Sequence, residues 1–351
     1  MRQRMTMSGI GKFGAALVAL AVAGIAPAPA QDTKLTDIRI ALSWLRNGQY
    51  APLMVAEAKG YFADEGLRAS FIDGGPGKNP IPTVGVGQAE FGVTSGSQLF
   101  QARAAPSPVD IVGIGAMTQT LPYAFIKLAD PSDPDPLPKD LEGKTVGLQS
   151  DGGMFLEALA KRNGVDFSKI KVEIVLANAE PLLIGKVDYF SGYINNQTYQ
   201  IEVEAAKPNA PANIKGKVWK AIPFSKYGVE GYGDVLFASS KTIRDNPELV
   251  RKFMRAAVRG LKFVIENPNE AVKVVDGFPN QVERADKLAW RFKIQNQLSV
   301  SADTGTSGLM WMQPRIWEAT MAFYLDYKQV TRVLPVDEIM TNAFNPGLVV
   351  N

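Results

Sequence analysis

The chain contains no cysteine and no histidine in 351 residues. Without cysteine there is no disulfide and no thiol to carry a lipid anchor. Lacking both residue types removes most transition-metal sites, because zinc and its neighbours take thiolate and imidazole ligands first. A carboxylate-bound hard cation is what remains, and no spacing of the EF-hand kind supports it; no metal and no cofactor are expected. The missing histidine also removes the usual base of a Ser or Cys triad, Gly-x-Ser-x-Gly is absent, and Thr94 and Ser97 have no visible base, so no catalytic residue is expected. An excess of one charge is lacking too. Lys and Arg number 38 against 35 Asp and Glu, and the first thirty residues hold three basic residues and no acidic one, which leaves 35 of each sign in the rest. A balanced chain sets up no long-range field for nucleic acid or an anionic membrane surface. Long apolar runs are also missing: the longest, Ala15 to Ala26, is shorter than the ~20 residues a spanning helix needs.

That run has a meaning of its own. Arg2, Arg4 and Lys12 precede it and Ala28-Pro29-Ala30 follows, the basic, apolar, small-residue order of a secretory signal peptide. Cleavage after Ala30 and a free periplasmic protein are expected; an uncleaved anchor is the rival reading, and the length rule counts against it. The remaining 321 residues exceed what one core usually serves, so two lobes are expected. Short β-rich runs alternate with helical ones, the order of an α/β sheet with crossover helices. Strands are expected at Ile38–Ser43, Arg68–Ile72, Phe91–Thr94, Asp110–Gly115, Ala124–Leu128, Thr145–Leu148, Lys171–Leu176, Tyr189–Tyr193, Val218–Pro223 and Val235–Ser239. After Ser240 the pattern turns helical. Asn246-Pro247 reads as a cap with Pro in the first turn, and Val250, Phe253, Met254, Ala257, Leu261 and Val264 form one apolar face to about Glu266. Further helices are expected at Gln281–Gln297 and Met310–Lys328. Asp130 to Pro138, rich in Pro and Asp, cannot continue a central strand and reads as a surface loop.

The most informative stretch runs from Ile40 to Phe62 and includes Trp44-Leu45-Arg46-Asn47-Gly48-Gln49-Tyr50-Ala51-Pro52. It reads as a strand, a polar loop with two aromatics, and a helix. Together with Gly85-Val86-Gly87-Gln88-Ala89-Glu90-Phe91-Gly92-Val93, Asp140-Leu141-Glu142-Gly143-Lys144, Gly185-Lys186-Val187-Asp188 and Tyr227-Gly228-Val229-Glu230-Gly231-Tyr232-Gly233-Asp234, it resembles the periplasmic solute-binding proteins of the thiamine-pyrimidine and sulfonate-binding superfamily over nearly the whole chain after the signal. The resemblance implies a two-lobed periplasmic binding protein of type II, an α/β fold with a ligand cleft between lobes joined by hinge strands. It implies residues 31–125 and 235–351 in lobe one, 126–234 in lobe two, and hinge strands near Tyr123–Leu128 and Asp234–Ser239.

The candidate ligand residues sit where open α/β sheets bind, past the carboxyl ends of strands. Trp44 and Tyr50 offer aromatic faces for a flat ring. From the residues alone Trp44 reads as a core cap, whereas the resemblance favours ligand contact. Asn47 offers an amide beside those rings, and Gln49 does so with less support; either amide can instead satisfy loop backbone. Gly75 lies in a Gly-rich turn that either directs backbone N–H groups at a ligand or merely turns the chain. Thr94, Ser95 and Ser150 end strands that open helices. Tyr193 and Asn195 follow a strand of lobe two, and Tyr227, Glu230 and Tyr232 sit where the chain returns. Glu230 either pairs with an amino group or ring nitrogen of an aminopyrimidine or is a solvated loop carboxylate, while Asp234 reads as structural.

The function expected is the solute-binding component of an ABC importer, a monomer that captures a small heteroaromatic nutrient (a thiamine-precursor aminopyrimidine or a riboflavin-like ring) and delivers it to an inner-membrane permease. A sulfonate- or nitrate-type binder is one alternative. Another is an enzyme like the hydroxymethylpyrimidine phosphate synthases of the same superfamily. Those carry a Lys and a His after the Gly-Gln-Ala-Glu-like strand and a Cys-rich motif before the hinge return; here Thr94, Gln98 and Tyr227-Gly228-Val229-Glu230-Gly231-Tyr232 stand in those places.

Overall fold

A computed structural model describes residues 35–149 and 152–350. The expected signal peptide and Ser150 therefore lie outside the described residues. Ten strands form: β1 (Thr36–Ala41), β2 (Leu67–Ile72), β3 (Phe91–Ser95), β4 (Ile111–Ala116), β5 (Tyr123–Ala129), β6 (Thr145–Leu148), β7 (Lys171–Ile174), β8 (Tyr189–Tyr193), β9 (Val218–Pro223) and β10 (Asp234–Ser239). They make two five-stranded sheets, ordered β2-β1-β3-β10-β4 and β7-β6-β8-β5-β9, the two-lobed α/β architecture expected.

The sheets are built alike. In each, three neighbours run parallel and are linked through helices, as parallel pairing requires. Each then carries one antiparallel strand, β10 in the first and β5 in the second. That strand is the first one made after the chain crosses from the other lobe, by 117–122 on the way out and 224–233 on the way back. β5 and β10, the strands expected to form the hinge, are hydrogen-bonded on both sides within their own sheets, and the crossings lie just before them. An antiparallel strand begins where its parallel neighbour ends, so Tyr123 lies beside Tyr193 and Asp234 beside Ser95. This places both first residues at the cleft-facing edges of their sheets.

Lobe one's core packs β1, β3 and β10 against helices Ala51–Ala58 and Pro247–Glu266. The two helices touch so closely that a Cβ at Gly260 would come within 2.0 Å of the Pro52 carbonyl oxygen. Phe91 stacks on Phe253 at 3.7 Å between ring centres. A second core runs between the lobes, where helix Pro314–Asp326 sets Phe323 against Phe155 of lobe two (5.4 Å) and Tyr324 against Phe100 of lobe one (6.2 Å). Two C-terminal helices start later than the pattern suggests. Met310 has a left-handed φ of 65°, so the last long helix begins at Pro314, with proline in its first turn. The preceding one begins at Ala285, because Val282 donates its N–H to the Arg46 carbonyl instead of entering a helix.

Candidate functional site

Between the sheets lies a cleft of about 1100 Å³. Its walls come from the ends of β1, β3, β7 and β8, the residue after β6, and the starts of β5 and β10. This is where strand carboxyl ends and crossing points converge, the place α/β folds bind ligands.

Of the residues singled out from sequence, Trp44, Asn47, Gly75, Ser95, Tyr193 and Asn195 line this cleft. Trp44 stands on the lobe-one rim with 45% of its surface exposed, which rules out the core-cap reading; Tyr193 on the opposite wall is 40% exposed. Asn47 does both things foreseen for it: it lines the cleft, and its side-chain oxygen accepts from Gln49 N–H at 2.8 Å, capping the short turn Gly48–Tyr50. Gly75 adopts φ 139°, beyond what other residues take easily, and at neighbouring Gly74 a Cβ would meet the Leu42 carbonyl oxygen at 2.4 Å. Ser95 caps helix Gly96–Ala104 by accepting from Gln98 N–H at 3.2 Å.

Tyr50, Thr94, Tyr227, Glu230 and Tyr232 lie elsewhere. The turn capped by Asn47 swings Tyr50 inward. Its hydroxyl, 2.9 Å from the Ser43 hydroxyl, accepts from Trp44 N–H at 2.8 Å, and burial together with the nearby Asp234 charge pushes the phenol's pKa up. Tyr50 thus holds the loop that carries Trp44 and does not face the cleft. Thr94 points into lobe one and donates to Gln98 Oε1 at 2.8 Å. Tyr227 packs on the core between the lobes, and Tyr232 is buried there against Trp317, its hydroxyl accepting from Gln313 N–H at 2.6 Å. Glu230 sits on the outer surface and pairs with Arg315 at 2.8 Å, so Tyr227, Glu230 and Tyr232 of the return motif supply packing and surface pairing, and only its end, Gly233 and Asp234, reaches the cleft.

The cleft owes its character largely to residues that sequence reasoning gave little weight or passed over. Carboxamides dominate it: Gln49, Asn79, Gln98, Gln101, Gln149, Asn196, Gln197 and Gln329 join Asn47 and Asn195. Gln149 and Gln197 are held by lobe-two backbone, Gln149 donating to the Ser191 carbonyl at 2.8 Å and Gln197 accepting from Tyr193 N–H at 2.8 Å. Tyr123, Phe155 and Tyr324 add aromatic surface, with the Tyr123 and Tyr193 rings 5.0 Å apart. Asp234, read as structural, lines the cleft as well.

Among the described residues three charged side chains reach the cleft: Lys78, Asp234 and Arg291. Arg291 is paired with a carboxylate and heavily hydrogen-bonded. Its guanidinium meets both oxygens of Glu283 at 2.9 and 2.5 Å and crosses to lobe two, donating to the Asn195 carbonyl at 2.6 Å and Asn196 Oδ1 at 3.2 Å. Glu283 also accepts from Gly48 N–H at 3.1 Å. A Cβ at Gly48 would strike Leu288 at 2.8 Å and Arg291 at 2.9 Å, so only glycine lets the Trp44 loop approach this pair. Burial disfavours ionised Glu283, but the Arg291 hydrogen bonds, aided by the Arg291 and Lys287 charges, outweigh it and hold the carboxyl below the usual range. The sequence did carry a signal here: Arg291 interrupts the stripe Leu288, Phe292 and Gln295, and a charge on a buried helix face needs a buried partner.

A family model described as NMT1/THI5-like matches residues 47–271. The chain is 30% identical to the riboflavin-binding protein RibY of Chloroflexus aurantiacus, over 92% of this chain and 90% of that one. It is 24% identical to the 4-amino-5-hydroxymethyl-2-methylpyrimidine phosphate synthase of Legionella pneumophila, over 70% of this chain and 75% of the relative. Among solved structures, the periplasmic aliphatic sulphonate binding protein SsuA from Escherichia coli superposes with a TM-score of 0.61 at 14% identity, covering 86% of this chain and 91% of that one. At that identity the likeness establishes a shared fold.

Proposed function

This chain belongs to the NMT1/THI5-like family, and from that premise we propose that it is a monomeric solute-binding protein that captures a flat heteroaromatic nutrient, flavin-like or aminopyrimidine, in the periplasm and delivers it to an inner-membrane ABC permease. The observation that carries the reading is a cleft walled by Trp44, Tyr193 and many carboxamides whose buried cation is already spent on Glu283. Aromatic faces stack on a flat ring, and carboxamides offer both donors and acceptors to an uncharged heterocycle. A sulfonate or nitrate would call for an uncommitted buried cation, and the charge of Arg291 is already paired with Glu283. The similarity to RibY, spanning nearly both chains, favours the flavin-like end of the range, and about 1100 Å³ accommodates a tricyclic ring with a side chain.

We place lobe one at about residues 35–116 and 234–350 and lobe two at about 123–223, a few residues inside the bounds expected from sequence, closing on the ligand by rotation about 117–122 and 224–233. The similarity to the Legionella synthase supports an enzymatic reading. Against it stand a chain without histidine and a Thr94 turned into the lobe interior where the synthases carry lysine. The deciding experiment is calorimetric titration of the secreted protein with riboflavin, 4-amino-5-hydroxymethyl-2-methylpyrimidine, taurine and nitrate. Binding of a heteroaromatic alone supports the proposal; binding of taurine or nitrate alone refutes it.

A further inference from the structure

Among the described residues Asp234 is the one carboxylate lining the cleft, and its surroundings are unusual for a structural acid. It opens β10 beside Ser95, where the two crossing segments meet the sheet edge. Its backbone carbonyl is occupied, accepting from Met117 N–H at 2.8 Å and Thr118 N–H at 3.3 Å, which fixes the main chain beneath it. The side chain accepts from Gln49 Nε2 at 2.6 Å. Among the described residues no lysine or arginine forms an ion pair with it. A carboxylate can accept about four hydrogen bonds, so acceptor capacity is left facing the cleft. Burial raises its pKa to about 6, while the Gln49 hydrogen bond, the Arg291 charge and the Thr118 hydroxyl act the other way. Gln49 is itself fixed, since Gln295 Nε2 donates to its backbone carbonyl at 3.2 Å. A desolvated acceptor held in place with no cation of its own is matched by an N–H donor on a ligand.

We propose that Asp234 is a ligand-recognition residue that accepts a ring or exocyclic N–H from the bound heterocycle, with Gln49 as its positioning partner, so that the cleft selects flat heterocycles bearing an imide or amino N–H. The inference rests on the solute-binding reading above and narrows its ligand class. It excludes fully N-alkylated rings of the same size and shape, because methylation leaves the carboxylate without its donor.

The test compares two probe pairs by calorimetry: riboflavin with 3-methylriboflavin, and 4-amino-5-hydroxymethyl-2-methylpyrimidine with its 4-dimethylamino counterpart. For the member that wild-type protein binds, N-methylation should weaken binding by roughly thirtyfold or more, the scale set by leaving a buried polar group unpaired. Asp234→Asn keeps an oxygen for Gln49 but presents an amide to the ligand. It should weaken the N–H ligand by a similar factor while reducing the preference over the methylated form to less than about threefold. Equal wild-type affinity for both members of a pair overturns the assignment without needing a variant. So does an Asp234→Asn protein that keeps the wild-type preference. Failure of wild-type protein to bind either parent compound overturns the solute-binding reading, and this inference with it.

Discussion

Replacing Arg291 with methionine probes the pair that joins the Trp44 loop, the C-terminal half of lobe one and lobe two. The Arg291 and Glu283 side chains are 2% and 5% exposed, and the guanidinium contacts both carboxylate oxygens. Removing one member of a buried pair costs about 3–5 kcal/mol, chiefly because the other charge is stranded. Glu283 would keep Lys287 at 2.9 Å and Gly48 N–H at 3.1 Å, so the loss should fall near the lower end, about 3 kcal/mol, or roughly 5–10 °C in melting temperature for a chain of this size. Two of the lost hydrogen bonds cross the cleft, so ligand affinity should fall roughly tenfold as well. The double variant Arg291→Met with Glu283→Gln removes both charges and should recover at least half of the lost stability. Acid supplies a further check. Glu283 has its pKa lowered in the folded protein, so its contribution is fully present above the unfolded value near 4.5 and is lost as pH falls through the folded value. The gap between wild-type and Arg291→Met should therefore narrow below about pH 4.5. Melting curves by differential scanning calorimetry across pH 3 to 8 give all of these numbers. A single variant that melts within 2 °C of wild-type, or a double variant less stable than the single, would refute the reasoning.

Three other substitutions separate roles that the cleft geometry assigns. Trp44→Ala should weaken heteroaromatic binding by about 2–4 kcal/mol, or 30- to 1000-fold, with the unligated melting temperature nearly unchanged, since the ring is exposed on the rim; titration calorimetry beside a melt reads both. Tyr50→Phe leaves the half-buried Trp44 N–H without its acceptor and should lower stability by about 1 kcal/mol in urea unfolding while affinity falls only through looser placement of Trp44. Gly260→Ala forces apart the helices Ala51–Ala58 and Pro247–Glu266, where the new methyl group would meet the Pro52 carbonyl, and should cost about 3 kcal/mol or more by the same unfolding measurement.

All ten strands could be located from sequence because β-rich runs bounded by Gly, Pro and Asp are local patterns. The helix Pro247–Glu266 was equally legible from its apolar stripe. What escaped was decided by contacts distant in sequence. Nothing near Gln281 reveals that Val282 is drawn to the Arg46 carbonyl, so the start of the next helix was placed too early. The helix Ala302–Ser307 was missed because it is short and polar, held by a capping box between Ser301 and Thr304. In the cleft, Trp44 reads as a core cap from its residues alone, and only the family resemblance points it at the cleft it lines. Tyr50 was misread because six residues of loop hide a turn that reverses its direction. The carboxamides were invisible as a group, since Gln98, Gln149 and Gln197 come from three separate strand ends and converge only when both sheets are in place.

The placement of β10 between β3 and β4 bears on how the protein is made. All five strands of the second sheet lie within residues 123–223 and can pair as soon as that stretch is available. The first sheet cannot close in the same way: β4 has β10 as its strand neighbour and otherwise a single bridge from Gly113 to Met340, and both partners are synthesised more than a hundred residues later. Lobe one therefore begins first and finishes last. Until β10 and helix Pro247–Glu266 arrive, β3 keeps an unpaired edge and Phe91 has no Phe253 to cover it. A polypeptide of this topology stays incompletely folded until nearly all of it has been synthesised, and a nascent fragment ending before Asp234 should recruit holdase chaperones to lobe one while lobe two is already compact.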